Sequence, residues 1–350
     1  MKGAPLQVQP VWNQDWPTDE LESVTACPVC GSLGRRVEHA NLHDLAFEVA
    51  PGRWTLWRCD KCSSAYLDPR PDADHIGAAY GSYYTHESAD IVEMPQRGGL
   101  IGLLRRGALN DFLNVRFGSR FQPVLPLGRT LFALMPGQRL LYEYSRRYVP
   151  KLAASGARLL DFGCGNGAFL GLASRIGWSV EGIDPDPQAV EAARRSGLVA
   201  HCGGLEKLEG RKDEFDSVTL NHVIEHVHDP VALLIACHRV LRKGGTLYIE
   251  TPNIDSAGHA AFGAAWRGLE PPRHLILFSR SGLIELLNRV GFESIEELPA
   301  TDAYSWMSDE SCQLAARAHP PIPYRFDPSV TPHSGLDRRE FITLTAKKTS

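Results

Sequence analysis

From about Ser155 to the end of the chain, short apolar runs alternate with stretches of helical periodicity. RLLDFG is followed by a helical segment ending near Gly177, WSVEGID by DPQAVEAARRSG, and the runs LVAHCGG and FDSVTLNH by DPVALLIACHRVLRKGG and GTLYIETPN. Runs of about five to seven apolar residues separated by helices predict an α/β fold in which helices cover both faces of a parallel sheet. The helix SRSGLIELLNRVGF and the strands ESIEEL and REFITLTAKK close the pattern, with 301–337 read as a Pro-rich, polar insertion. Upstream, Ile101, Leu104, Ala108, Phe112 and Val115 recur at steps of three and four, with Arg105 and Arg106 off that line. This spacing predicts one or two amphipathic helices with those five residues on the apolar face.

The pattern divides the chain into a polar tail (1–22), a cysteine-bounded module (23–75), an aromatic and Arg-rich helical link or lid (76–150) and an α/β domain (151–350). A length of 350 residues is ample for more than one core, and 43% hydrophobic with 22% charged residues is an ordinary globular balance. The net charge of −4 argues against a nucleic-acid partner. The charge is uneven, because 97–147 holds nine arginines against Asp111 and Glu143. No apolar run reaches the roughly 18–20 residues that cross a bilayer, so a soluble cytoplasmic chain is expected, with peripheral membrane contact through 97–147 as one use of the arginines.

LLDFGCGNG carries the chemistry. It sets Asp161 at a strand end and then Gly163, Gly165 and Gly167 ahead of a helix from Ala168. Glycines let a ligand approach bare N–H groups at a helix start. Three residues after Gly165 stands Ala168, which departs from the dinucleotide fingerprint G-x-G-x-x-G. A second acid, Asp184, ends the next strand and suits a ribose diol. Together these residues resemble the binding signature of class I S-adenosylmethionine-dependent methyltransferases. FDSVTLNHVIEHVHDP and GGTLYIETPN are similar to that family's fourth and fifth strands. The resemblance implies a Rossmann-like seven-stranded sheet with an antiparallel last strand and S-adenosylmethionine as cofactor. It places Gly163 and Gly165 beneath the methionine part, with Asp161 and Gly167 also binding the cofactor, Asp184 at the ribose, Gly204, Leu205 and Glu206 beside the adenine, and Asn221 facing the methionine amine and sulfonium.

Methyl transfer needs alignment of nucleophile, methyl and sulfur, and a base when the nucleophile must lose a proton. His226, Glu225 and His274 are the candidates. In HVIEHVH, His222 and His226 would share one face of a helical turn. The Glu225-His226 pair resembles the E-x-x-E-H pattern of quinone-pathway O-methyltransferases, which is associated with a metal, but His222 replaces the first acid. His274 in PPRHLILFS either borders a substrate cleft or caps a turn. Tyr80, Tyr83 and Tyr84 either close over the cofactor or pack between domains.

Cys27 and Cys30, with Cys59 and Cys62, form two C-x-x-C pairs of the kind that presents four thiolates to one tetrahedral zinc. A structural Zn2+ in a zinc ribbon follows. A ribbon, a tyrosine-rich link and this core also resemble sugar C-methyltransferases and methyltransferases of cell-surface polysaccharide pathways. That implies a small-molecule, sugar or lipid-linked glycan acceptor. A quinone-type O-methyltransferase and a non-catalytic cofactor-binding scaffold are the alternatives. No N-P-P-[YF] element follows the fourth strand, which argues against a nucleic-acid methyltransferase.

Overall fold

The computed structural model describes residues 11–81, 99–152, 156–299, 301–318, 320–325 and 339–349. Tyr83, Tyr84 and Arg97 lie outside them. The N-terminal part contains β1 (Leu21–Glu22), β2 (Arg35–Leu42), β3 (Trp54–Cys59), β4 (Ala65–Leu67) and β5 (Arg70–Pro71). Three helices follow: α1 (Gly99–Phe117), α2 (Gly128–Ala133) and α3 (Pro136–Tyr144). The α/β part runs β6 (Arg158–Phe162), α4 (Ala168–Arg175), β7 (Ser179–Asp184), α5 (Pro187–Arg195), β8 (Ala200–Cys202) and β9 (Phe215–Asn221). It continues with α6 (Pro230–Val240), β10 (Leu241–Pro252), α7 (Ala257–Phe262), β11 (Ile276–Leu277), α8 (Arg280–Val290), β12 (Phe292–Glu297), α9 (Tyr304–Arg317) and β13 (Phe341–Lys348).

Seven strands form the main sheet in the order β12-β13-β10-β9-β6-β7-β8. β6 pairs in parallel with both β7 and β9, β9 with β10, and the last strand β13 runs antiparallel between β10 and β12. The expected sheet, antiparallel last strand included, is therefore present. Helix starts follow local chemistry. At the two Asp-Pro pairs that open α5 and α6 the acid accepts an N–H of the first turn, Asp186 from Gln188 at 2.8 Å and Asp229 from Ala232 at 2.9 Å, while the proline sits where no donor is needed.

Because β6, β7, β9 and β10 run parallel, their carboxyl ends lie on one edge, and the glycine loop leaves β6 there, at the switch in strand order where open α/β sheets bind ligands. The N-terminal module is joined to this edge rather than tethered beside it. Its sheet, β11-β4-β3-β2, takes its fourth strand from residues 276–277. Cys27, Val29, Cys59, Cys62 and Tyr66 are buried in the same apolar cluster as Phe278, Leu283 and Leu286.

The structure adds detail to two of these readings. Ala108 and Phe112 are buried on α1, but Ile101, Leu104 and Val115 are exposed. The buried stripe runs instead through Leu109, Phe112, Leu113 and Phe117, which pack on Leu159, Phe169, Ile176 and Trp178. The first two turns of α1 project past that contact, so periodicity there marks no core face. The 301–337 segment also contains a regular element, α9, whose Leu314 and Met307 are buried.

Candidate functional site

The loop after β6 is shaped by what its glycines touch. Gly163, Gly165 and Gly167 all have positive φ, at 79°, 52° and 82°. At Gly163 a Cβ would collide with Val223, and at Gly167 it would stand 2.7 Å from Leu198. At Gly165 it would meet nothing within 4 Å, so this face of the loop is open for a ligand. Asp184, at the end of β7, turns toward the loop and accepts the Gly165 N–H at 2.8 Å and the Asp186 N–H at 2.9 Å. Burial raises its carboxyl above the ordinary range, against those two donors.

Asp161 is fully buried, and accepts from Thr219 Oγ at 2.6 Å and from the Arg147 guanidinium. Its second oxygen, Oδ2, is buried without a partner. Arg147 also stacks 3.9 Å over the Phe169 ring. Sequence reasoning placed Arg147 in a lid and missed that it anchors the loop, since nothing local distinguishes it from its neighbour Arg146. Beyond β8, the Glu206 carboxylate folds back on its own turn and accepts the Gly204 N–H at 2.9 Å, with Leu205 between them.

Asn221 ends β9 in register with Glu250 of β10. Only Ile224–His226 is helical after it, as a single 3-10 turn, and His222 lies outside at φ 53°. His222 and His226 are therefore not stacked on one helix face. His222 instead stands between two buried acids, 3.4 Å from Glu225 Oε1 and 3.4 Å from Glu250 Oε1. Glu225 is also held by Thr251 at 3.0 Å, and Glu250 by Tyr144 and Thr343, each at 2.8 Å.

These contacts set the charges. Burial pushes the His222 imidazole down, but hydrogen bonds to Glu225 and Glu250 outweigh it and raise the ring to about 10. Burial pushes Glu225 up, yet His222 and the charges of His226 and His274 bring it to about 2. His222 is 36% exposed, so solvent screens part of this coupling. Stability from His222 is complete below its unfolded value near 6.5 and is lost as pH rises toward about 10, whereas that from Glu225 is lost as pH falls from about 4.5 toward 2. His222→Gln is expected to flatten the alkaline limb of thermal stability against pH; an alkaline slope identical to wild type would remove this assignment.

His226 is about one-fifth exposed. Its Nδ1 is 3.0 Å from the Arg273 carbonyl and 3.0 Å from the Tyr80 hydroxyl. With the proton on Nδ1 for that carbonyl, Nε2 carries the lone pair, 4.0 Å from Glu225. His274 is buried, with Nδ1 2.8 Å from the Gly268 carbonyl and its ring 4.8 Å from that of His226. Burial lowers His274 to about 4, so it is neutral at pH 7. Glu225, His226 and His274 thus converge, with ligand atoms within 4.8 Å of one another.

Sequence reasoning overlooked the post that fixes this group, Arg273. Its fully buried guanidinium meets the fully buried Asp44 carboxylate through two bonds, of 3.1 and 2.5 Å, and donates to the Ala79 carbonyl at 3.0 Å. This ion pair clamps the N-terminal module to the segment carrying His274.

In that module the two cysteine knuckles repeat one hydrogen-bond pattern. Cys27 N–H donates to Ser32 and Gly31 N–H to Cys27; Cys59 N–H donates to Ser64 and Ser63 N–H to Cys59. Cys27 and Cys62 sulfurs lie 3.6 Å apart, and those of Cys30 and Cys59 3.5 Å apart. Four sulfurs around a tetrahedral ion with bonds of about 2.3 Å stand about 3.8 Å apart, so the donor set fits such an ion.

The glycine loop with its two buried acids, set at the carboxyl edge of this sheet, defines a class I methyltransferase. Residues 137–297 match the family described as "Methyltransferase domain". A ubiquinone biosynthesis O-methyltransferase of Cereibacter sphaeroides (strain ATCC 17025) is 32% identical over 171 residues, 45% of this chain and 69% of that protein. The protein of the same description from Xanthomonas oryzae pv. oryzae (strain PXO99A) is 37% identical over 139 residues, 38% of this chain. The chain spans 56% of the length of that Xanthomonas relative. Among solved structures, a methyltransferase of Thermotoga maritima described as a possible histamine N-methyltransferase aligns with TM-score 0.40 and 20% identity, over 62% of this chain and 96% of that one. The chain belongs to the S-adenosylmethionine-dependent methyltransferase family.

Proposed function

We propose that this chain transfers a methyl group from S-adenosylmethionine to a hydroxyl of an amphipathic small molecule or lipid-linked glycan, with His226 as the base. The observation that carries this reading is the open cradle at Gly165, bordered by Asp161 and Asp184. It fits the cofactor because the unpartnered Asp161 Oδ2 and the carboxylate of Asp184 supply acceptors, while Gly165 leaves room for a close approach. Bound S-adenosylmethionine would supply an electrophilic methyl on its sulfonium.

The protein's part is positioning and proton removal. Asp184 would accept from the ribose diol, Gly204 to Glu206 would border the adenine, and Asn221 would face the sulfonium. His226 Nε2 would take the acceptor's proton, with ionised Glu225 balancing the imidazolium and the Arg273 carbonyl fixing the ring. Water exclusion falls to Tyr80 and the α3 end, where Tyr144 and Arg147 reach Glu250 and Asp161.

The same helices support the acceptor class. Leu100, Ile101 and Leu103 on α1, Leu131 on α2, and Leu134 and Met135 ahead of α3 are exposed, interleaved with exposed Arg105, Arg106, Arg129 and Arg139. Apolar side chains with arginines suit an anionic lipid surface. Among the described residues, no helix is long and apolar enough to cross a membrane. The names of the relatives favour a quinone-type acceptor within the same amphipathic class. A divalent ion on Glu225, His226 and His274 would assist deprotonation there, and turnover that depends on added Zn2+ or Co2+ would favour that version.

The test supplies labelled S-adenosylmethionine to the purified chain with lipid and aqueous fractions of a cell extract. Mass spectrometry is expected to find a methyl ether in the lipid fraction. Label confined to protein or nucleic acid would overturn the acceptor class, and no transfer to any fraction would overturn the activity. The cysteine cluster would hold one structural zinc per chain, leaving no position open for a substrate. Elemental analysis should lose one equivalent in Cys59→Ser; full retention would contradict the site.

A further inference from the structure

A second group of ligating side chains lies outside the site just described. Beyond the carboxyl end of β10 is a cavity of about 810 Å³ between the N-terminal module and the segment 253–263, lined in part by Glu38, His39, Arg58, Asp255 and His259. Two neighbours on a strand ordinarily face opposite ways. Glu38 and His39 both reach this cavity because β2 has a bulge here: Val37 and His39 pair with the consecutive residues Trp57 and Leu56, leaving Glu38 as the extra residue. The two Nε2 atoms of His39 and His259 are 2.9 Å apart. With Glu38 they form a group whose ligand atoms all lie within 4.8 Å of one another.

One of these rings is oriented as metal-ligating histidines are. His259 Nδ1 is 2.8 Å from the Ile254 carbonyl, which fixes the proton on Nδ1 and aims the Nε2 lone pair at His39. His259 is buried and His39 half-buried, which holds the pair away from bulk water. Arg58, which lines the same cavity, pairs with Asp255 and stands 3.7 Å from Glu38, so its charge is already balanced. Two imidazole nitrogens on one tetrahedral ion with bonds of about 2.0–2.1 Å stand about 3.3 Å apart, which a small opening of the observed pair would provide.

We propose that His39, His259 and Glu38 bind one divalent transition-metal ion of the zinc class, tying the bulge of β2 to α7 and presenting a fourth coordination position to the cavity. Two imidazoles and a carboxylate are a borderline-soft donor set, suited to zinc or cobalt over magnesium or calcium. This site is independent of the methyl-transfer reading and shares no ligand with the cysteine cluster or with Glu225, His226 and His274.

The experiment titrates the intact purified chain with Co2+ and follows its visible spectrum. Cobalt on thiolates gives intense sulfur-to-metal charge-transfer bands in the near ultraviolet, whereas cobalt on imidazole and carboxylate gives only weaker visible bands. Wild type is expected to show a component without charge transfer. His39→Ala should remove one equivalent of it, and Glu38→Gln, a milder change at a half-buried position, should weaken it about tenfold or more. His226→Ala should leave that equivalent in place. The proposal is overturned if no such component appears in wild type, or if Glu38→Gln binds cobalt with wild-type affinity. Should His39→Ala fail to fold, the affinity of the Glu38→Gln chain alone decides.

Discussion

Arg273→Ala is expected to destabilise the chain by about 3–5 kcal/mol, the range seen when one partner of a buried ion pair is removed and its counter-charge is left behind. Asp44 cannot be hydrated where it stands, because it is fully buried and its oxygens also accept the N–H groups of Phe47, Val49 and Ala50. The same change removes the donor to the Ala79 carbonyl and the 4.4 Å contact of the guanidinium with the Phe47 ring. Chemical denaturation gives the size of the effect. A loss below about 1 kcal/mol, the net contribution of an ordinary hydrogen bond, would show that the clamp does not hold the module. Asp44→Asn in the Arg273→Met background should recover part of the loss, because it no longer leaves a buried charge unpaired.

His226→Ala should reduce turnover by about a hundred- to ten-thousandfold, the contribution of a positioned general base, while cofactor affinity stays near wild type. The separation follows from geometry: His226 lies after β9, held by Tyr80 and Arg273, whereas the cradle is built from the β6 loop and Asp184. Tyr80→Phe should cost far less, since the Arg273 carbonyl still fixes the ring. Single-turnover rates and calorimetry on the same preparations separate the two quantities. Equal losses in rate and cofactor binding would assign His226 a structural role.

The parts legible in the sequence were those whose signal is local. The sheet could be read because strands covered on both faces are short continuous apolar runs, and the loop because three glycines and two acids lie within one strand-turn-helix-strand unit. The cysteine pairs could be read from spacing alone. What stayed hidden depends on long-range contact. β11 is two residues long and completes a sheet whose other strands lie some two hundred positions earlier, so no periodicity announces it. Arg273 looks like any arginine before a histidine until Asp44 is placed against it. His222 was visible as a departure from an acidic position, but its charge depends on Glu250 from the neighbouring strand. The bulge that turns Glu38 and His39 the same way is a property of pairing with β3. On α1 the failure was different: the three- and four-residue spacing was real, but half of it lies beyond the contact with the α/β core.

The central claim is that the loop from Asp161 to Gly167, with Asp184 beside it, is a seat for S-adenosylmethionine. Isothermal calorimetry of the intact chain against that ligand, wild type beside Asp184→Ala, tests it most directly. Saturable binding at one site is predicted, weakened about ten- to a hundredfold in the variant, because a carboxylate that accepts hydrogen bonds from a ligand contributes about 1.5–3 kcal/mol. Absence of binding to wild type at millimolar ligand, or equal affinity in the two chains, would contradict it.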